Sequence, residues 1–240
     1  SGRDTLIDAL QELVSLENPD GQVVAAWINA LALASQASSQ LTEASASKLL
    51  TLLDSVIDAA LSSALNTETT KILLDTVNAV AESLSRANGR RVRRRLSPSA
   101  DARTAEATSA VLDKFGSLVA SNLLPGQESV AFRRGEFRLS VQILGGQDSN
   151  VTLRIPQSAA ETFIGKRSSA VQVRGAAVGV QLVVAEMRAG LVSRARADLR
   201  SNPLTLFMSA SPCAGGPCTI EVDLAYSREI DFSALNGEGN

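Results

Sequence analysis

The chain contains no histidine, few aromatic residues and no long apolar run. Without histidine it lacks the commonest general base, the usual serine and cysteine triads and most kinds of zinc site. Aromatic residues are only 3% of the chain, so a core must be built from Ala, Leu, Val and Ile. No stretch approaches the roughly 20 apolar residues of a membrane-spanning helix. We therefore predict a non-enzymatic protein with no cofactor and no metal site.

What is present is a globular composition with a small negative charge. Hydrophobic residues make up 45% of the 240 residues and charged residues 20%, which is typical of a folded chain with a sizeable core. The formal charge of −2 argues against a nucleic-acid partner, because binding phosphates needs a basic surface. Ser1 is not an initiator methionine, so we expect a segment of a longer protein. Any membrane attachment would then come through segments outside this chain.

The apolar pattern changes its period within residues 111–144. Val111, Phe115 and Leu118 recur at helical spacing, whereas residues 137–143 alternate strictly between apolar and polar side chains. Pro125 and Gly126 separate the two patterns, since proline cannot continue a helix and glycine tolerates a turn. Helices before this junction and strands after it indicate an α+β fold. We predict an N-terminal α-helical subdomain, residues 1–122, packed on a C-terminal antiparallel β-sandwich, residues 123–240.

Turn and cap signals divide each half further. Thr42 is a predicted N-cap, and a further helix is expected to begin near Asn66. Asn88-Gly89 is a predicted helix stop, followed by a mobile Arg/Ser/Pro loop over residues 89–103. In the second half, residues 151–155 are expected to form a hairpin with residues 137–143. Further strands are predicted near residues 171–173, 178–184, 204–208 and 218–226.

Cys213 and Cys218 are the only cysteines, and Ala-Gly-Gly-Pro lies between them. A tight loop of this composition can bring two Cβ atoms within disulfide range, which favours a structural disulfide. The alternative is a pair of unrelated thiols. A disulfide would indicate an oxidising, extracellular compartment.

Asn150-Val151-Thr152 is an N-glycosylation sequon on a predicted turn. Such triplets also occur by chance, but a glycan at Asn150 agrees with an extracellular disulfide.

A run of arginines, residues 90–95, has three interpretations. It could be a patch for polyanions or anionic lipids, a processing site of furin type, or a solvated run of charge. The processing pattern would use Arg91, Arg93, Arg94 and Arg95.

The order of these elements resembles the extracellular region of polycystin-1-like proteins. There, a receptor-for-egg-jelly module runs into a GAIN-type fold. The resemblance rests on the helices LLTLLDSVIDAAL and LLDTVNAVAESL, the turn Leu124-Pro125-Gly126-Gln127 and the alternating strand that follows. It implies a helical subdomain packed on a twisted β-sandwich. Self-cleaving GAIN domains carry a His-Leu-Ser/Thr motif, and this chain has no histidine, so autoproteolysis is not predicted.

The resemblance implies a structural and adhesive module on the cell surface, which in some cells is the ciliary membrane. Its expected partners are other extracellular or membrane proteins, such as a polycystin-2-like channel or components of surface fibres, and glycans. One alternative is a precursor processed at residues 90–95 into a two-chain receptor or secreted protein. Another is an intracellular scaffold with free thiols.

Overall fold

A computed structural model describes residues 2–63, 65–93, 98–145, 150–175, 178–188, 202–209 and 219–225; the side chains of residues 88–93 and 98–104 are not described. The described residues form six α-helices and two antiparallel sheets, which confirms the predicted α+β class. None of the described helices is long and apolar enough to cross a membrane.

Five helices precede the first strand, and local capping explains where several of them begin. The Asp20 side chain accepts hydrogen bonds from the first turn of α2, and Thr42 accepts one from Ser45 N, as predicted. Asn66 accepts a hydrogen bond from Thr69 N in the same way. The helices are α1 (Gly2–Leu16), α2 (Gly21–Ser35), α3 (Glu43–Leu61), α4 (Thr67–Arg93), α5 (Pro98–Ala120) and, among the strands, α6 (Ala159–Phe163).

The predicted helix stop at Asn88-Gly89 is wrong, because α4 continues to Arg93. A glycine inside a helix costs only about 1 kcal/mol, and the arginines that follow are good helix formers. Helix α5 begins at Pro98, inside the predicted loop of residues 89–103, since the first helical position tolerates proline. The backbone is therefore helical at residues 89–93 and 98–103, within the predicted loop. The mobility of this segment stays a prediction.

Seven described strands form the two sheets. Sheet A has the order β1-β2-β5-β6, and sheet B has the order β3-β4-β7; every pairing is antiparallel. The strands are β1 (Val130–Arg133), β2 (Phe137–Ile143), β3 (Asn150–Arg154), β4 (Ala170–Arg174), β5 (Gln181–Met187), β6 (Leu204–Met208) and β7 (Thr219–Asp223).

The predicted hairpin between β2 and β3 is wrong. Strand β2 pairs with β1 on one side and β5 on the other, so both of its edges are occupied. Strand β3 instead pairs with β4 in sheet B. The apolar alternation of a strand determines its buried face but not its neighbour. Strand β1, which was not predicted, is only four residues long.

Sheet A lies between two hydrophobic cores. One core joins helices α1–α5 to one face of sheet A through Phe137, Leu139, Val183 and Ala185. The second core lies between the sheets and includes Leu182 and Val184 from sheet A, with Val151, Leu153, Val171 and Val173 from sheet B. The molecule therefore has three layers: helices, sheet A and sheet B. The division into two subdomains, residues 1–122 and 123–240, stays a prediction.

Candidate functional site

Two Glu-X-Arg tripeptides meet at neighbouring ends of β2 and β5. They are Glu136-Phe137-Arg138 and Glu186-Met187-Arg188. In the antiparallel register Phe137 pairs with Met187 and Arg138 with Glu186, while Arg188 N donates to Glu136 O at 2.8 Å. Each acidic residue therefore lies across from a basic one. The apolar residues face the helices, so the four charged side chains share the opposite side of the sheet.

Hydrogen bonds hold these charged side chains in place. Arg188 donates to Glu136 Oε1 at 3.1 Å, and Asn202, which directly precedes Pro203 and β6, donates to Glu186 Oε1 at 2.8 Å. Arg138 reaches instead to Glu161 Oε1 on α6, at 2.8 Å. Charge-assisted hydrogen bonds of this kind are stronger than neutral ones, so they orient the groups before any ligand binds.

The charged ends surround a cavity of about 290 Å³. We call it the Glu-X-Arg pocket; its walls are residues 134–138 together with Glu186, Arg188 and Asn202. The helical layer supports the rim, since Arg134 Nε donates to Asp75 at 2.6 Å and Glu136 N donates to the Asn78 side chain at 3.1 Å. Both partners lie on α4. The helical layer and sheet A thus both contribute contacts around this pocket.

One acceptor in the pocket has no hydrogen-bond partner. Glu136 is only 4% exposed, and its Oε2 atom is buried without a hydrogen bond in the described part of the chain. Burying a carboxylate oxygen without a donor is costly, so such atoms need an explanation. Because the same atom has almost no accessible surface, a ligand hydroxyl or amine would reach it only after neighbouring side chains shift, whereas the arginines can bind acceptors of a ligand directly.

The chemistry of the pocket suits recognition of a polar ligand better than metal binding. The described residues include no group of three or more Asp, Glu or Cys side chains that could hold a metal ion. The arginines offer several donors in a planar arrangement, and Glu136 and Glu186 offer acceptors. Saccharides and peptides carry both kinds of partner group.

The sequence reasoning missed this pocket, although a signal for it was present. Each tripeptide has an apolar residue between an acid and a base, and each lies at an end of a strand with an apolar face. Two such tripeptides predict an antiparallel pairing in which opposite charges match. The pattern could not reveal that Arg134, Asn78 and Asn202 would join them.

The predicted glycosylation site lies on sheet B. Asn150 is the first residue of β3, pairs with Arg174 and is exposed, as is Thr152 two residues later. Both side chains that define the sequon therefore lie on the outer face of the sheet. A groove of about 400 Å³ runs along this face and includes Thr152, Gln172 and Glu221 in its walls.

The other predicted site residues fall in or beside parts of the chain that the structure does not describe. Arg91 and Arg93 belong to the last turn of α4. Arg94, Arg95, Cys213 and Cys218 lie outside the described residues. The disulfide and the processing site stay predictions.

Neither a protein-family model nor a curated protein sequence matches this chain.

Proposed function

We propose that this chain is a non-enzymatic structural and adhesion module of a large polycystin-1-like surface protein. It would act outside the cell, in some cells on the ciliary membrane, and bind other extracellular or membrane proteins or glycans. The sequence resemblance suggests the module, and the α+β architecture agrees with the fold that the resemblance implies. The observation that carries the binding role is the Glu-X-Arg pocket.

The pocket supports binding because its polar groups are already oriented. Arg188 and Asn202 fix the carboxylates of Glu136 and Glu186, and Arg134 contacts the helical layer. A ligand would meet a preformed site and would pay little entropy to order it. The arginines and Glu186 in the walls favour a ligand that carries both acceptors and donors, such as a saccharide.

The binding role can be tested with beads coated with the chain and incubated with cells of its source. We expect the beads to bind, and Glu136→Gln to weaken binding by at least about tenfold, because an amide nitrogen would replace one of the two acceptor oxygens. The control is Glu128→Gln, which changes an exposed carboxylate on the loop before β1. Unchanged binding by Glu136→Gln would exclude the pocket. If Glu136→Gln does weaken binding, enzymatic removal of glycans from the cell surface would distinguish a glycan ligand from a protein ligand.

The extracellular location has a separate test. We expect native material to contain a Cys213–Cys218 disulfide and a glycan on Asn150, both of which peptide mass mapping can detect. Free thiols together with a bare Asn150 would favour the intracellular scaffold instead.

The alternative, a precursor processed at Arg90–Arg95, remains a second proposal. Proteases generally cut extended, accessible segments, whereas residues 90–93 are helical here. Cleavage would therefore require the last turn of α4 to unwind. N-terminal sequencing of native material would detect a new chain beginning near residue 96, and an intact 25.1 kDa chain would count against processing.

A further inference from the structure

The end of α6 carries two exposed apolar side chains. Phe163 is 92% exposed and Ile164 is 71% exposed. Single exposed apolar residues are common on protein surfaces, but a nearly fully exposed phenylalanine next to an exposed isoleucine is not. We call residues 162–167, Thr-Phe-Ile-Gly-Lys-Arg, the α6 tip; each of them is exposed.

Local hydrogen bonds hold the α6 tip in this conformation. At the start of α6, Ser158 Oγ accepts from Glu161 N at 3.0 Å and Glu161 Oε2 accepts from Ser158 N at 2.8 Å, which is a capping box. At its end, Gly165 has a φ of +65° and Lys166 N donates to Glu161 O at 3.0 Å, as in a Schellman motif. The helix is thus capped at both ends, and its apolar side chains are displayed by an ordered turn.

A charge-assisted hydrogen bond attaches this turn to sheet A. Glu161 accepts from Arg138 on β2 at 2.8 Å and from Lys166 at 3.2 Å. The positive charges of Arg138 and Lys166 thus balance the negative charge of Glu161, the only carboxylate of α6. The α6 tip itself contains Lys166 and Arg167 and no acidic residue. An exposed apolar pair is therefore followed directly by two cations, in a chain whose overall charge is negative.

We propose that the α6 tip docks on an anionic lipid surface. Phe163 and Ile164 would enter the boundary between headgroups and acyl chains, and Lys166 and Arg167 would contact anionic headgroups. Basic residues near a membrane attract anionic lipids. An apolar pair beside them adds to the binding because its side chains become buried in the bilayer, which needs no pocket of matching shape. This inference does not depend on the proposed adhesive function. Because anionic lipids such as phosphatidylserine give the cytoplasmic leaflet its negative charge, binding to them would favour the intracellular scaffold over the extracellular module.

The small size of the α6 tip favours a membrane over a protein partner. A stable protein interface buries about 1,200–2,000 Å² of total surface, and six residues on one turn supply only a fraction of that area. A bilayer requires no complementary shape. Contact through two apolar side chains is weak by itself, so it would matter most when a tether or several copies keep the chain near the membrane.

The test uses the biotinylated chain displayed on streptavidin, so that several copies meet one vesicle. The vesicles contain phosphatidylcholine with about a third phosphatidylserine, or phosphatidylcholine alone. We expect flotation with the anionic vesicles only, and a loss of at least about tenfold for Phe163→Ser/Ile164→Ser. Neutralisation by Lys166→Gln/Arg167→Gln should weaken binding and reduce its dependence on salt.

A matched control removes apolar surface elsewhere. Leu16 and Leu124 are 74% and 72% exposed, so Leu16→Ser/Leu124→Ser changes two similarly exposed side chains. This double variant should bind anionic vesicles as the unaltered chain does. An equal loss of binding in this variant would show that general hydrophobicity is responsible and would overturn the proposal.

Insertion itself can be observed with Phe163→Trp. The only native tryptophan, Trp27, is buried, so its emission provides a constant background. We expect the emission of the new tryptophan to shift to shorter wavelength with anionic vesicles and to be quenched by brominated lipid. No shift together with no flotation would overturn the proposal, as would equal binding to phosphatidylcholine. Self-association that depends on Phe163, without vesicle binding, would identify a second copy of the chain as the partner instead.

Discussion

Glu161 connects the short helix α6 to sheet A, and its pKa reflects that position. The hydrogen bond from Arg138 is the main cause of a pKa lowered to about 2. Burial opposes this change, while Ser158 N and Lys166 add to the lowering. The ionised form is therefore the one that the folded chain stabilises.

We predict that Glu161→Gln destabilises the chain at neutral pH but not in strong acid. Because the folded pKa lies below the ordinary value of 4.5, this stabilisation is complete above about pH 4.5 and is lost as the pH falls toward 2. The expected loss near pH 7 is about 1–2 kcal/mol, since the side chain is partly solvated. Urea unfolding of both proteins across this pH range measures the difference. A difference independent of pH would contradict the prediction, and Glu128→Gln is the control.

Gly126 occupies a turn position that disfavours any residue with a Cβ atom. Its φ is +79°, it follows Pro125, and Gln127 N donates to Leu124 O at 3.0 Å, as in a type II turn. The amide of Gly126 also donates to Ile143 O, at the end of β2. The turn therefore connects the end of the helical half to the first central strand.

We expect Gly126→Ala to lower the free energy of unfolding by about 1–2 kcal/mol, because an alanine is strained at positive φ. Thermal or urea unfolding measures this loss. The control is Gly2→Ala, where the added Cβ has open space and the φ is not positive. A similar effect at both positions would show that the conformation of the turn is not responsible.

At the scale of elements, α5 and β5 approach closely at one glycine. A Cβ atom on Gly116 would lie 2.6 Å from both γ-methyl carbons of Val183. The side chain of Val183 is fully buried between the helices and sheet A. Gly116 thus permits α5 to lie directly on the centre of the sheet, and no larger residue could do so without a shift.

A double-mutant cycle can measure this contact. We predict that Gly116→Ala costs about 1–3 kcal/mol through overpacking and that Val183→Ala costs about 2 kcal/mol through a cavity. The double variant should lose at least about 1 kcal/mol less than the sum, since the new methyl group fills part of the cavity. Urea unfolding of the four proteins provides the cycle. Additive losses would mean that the two positions do not meet.

At the scale of the whole molecule, sheet A connects the other two layers. The side chains of Leu139 and Val141 face the helices, whereas Leu182 and Val184 face sheet B. The junction with α5 includes an edge-to-face contact between Phe115 and Phe132, with ring centroids 5.8 Å apart. A single sheet thus contributes to both cores, which favours cooperative unfolding.

A charge at this junction should therefore destabilise both halves together. We predict that Leu139→Asp, like a charge at Phe115, lowers the free energy of unfolding by several kcal/mol. Leu139→Ala is the milder variant and should lower it by about 2–5 kcal/mol. Trp27 fluorescence follows the helical layer, and hydrogen exchange of β3 and β4 follows sheet B. Both midpoints in urea should shift by the same amount. Two separate transitions in the unaltered chain would mean that the junction is only a linker.

Much of the fold was predictable because its signals are local. Thr42 caps α3 through its own side chain, and the alternation of residues 137–143 places Leu139 in the core. Errors arose where a local signal was weak or where contacts between distant residues decide the outcome. Gly89 lies inside α4, although glycine at this position suggested an end. The pairing of β2 with β5 joins residues 38 to 50 positions apart, and the apolar alternation within either strand does not encode it.

The sequence by itself determined the helical first half, the strands β2 to β7 and the buried face of elements such as α3 and β2, because these follow from residue spacing and side-chain chemistry within a few positions. It did not determine β1, nor that the apolar side chains of β7 would stay exposed. Only the tertiary structure decided which strands pair, that α5 rests on sheet A at Gly116, and that two distant Glu-X-Arg tripeptides enclose one pocket. The physical reason is that strand pairing and packing depend on shape and hydrogen bonding between residues far apart in the chain. The exposed Phe163 illustrates the same division. The sequence shows that the residue is a phenylalanine, but only the tertiary structure shows that its side chain lies on the surface.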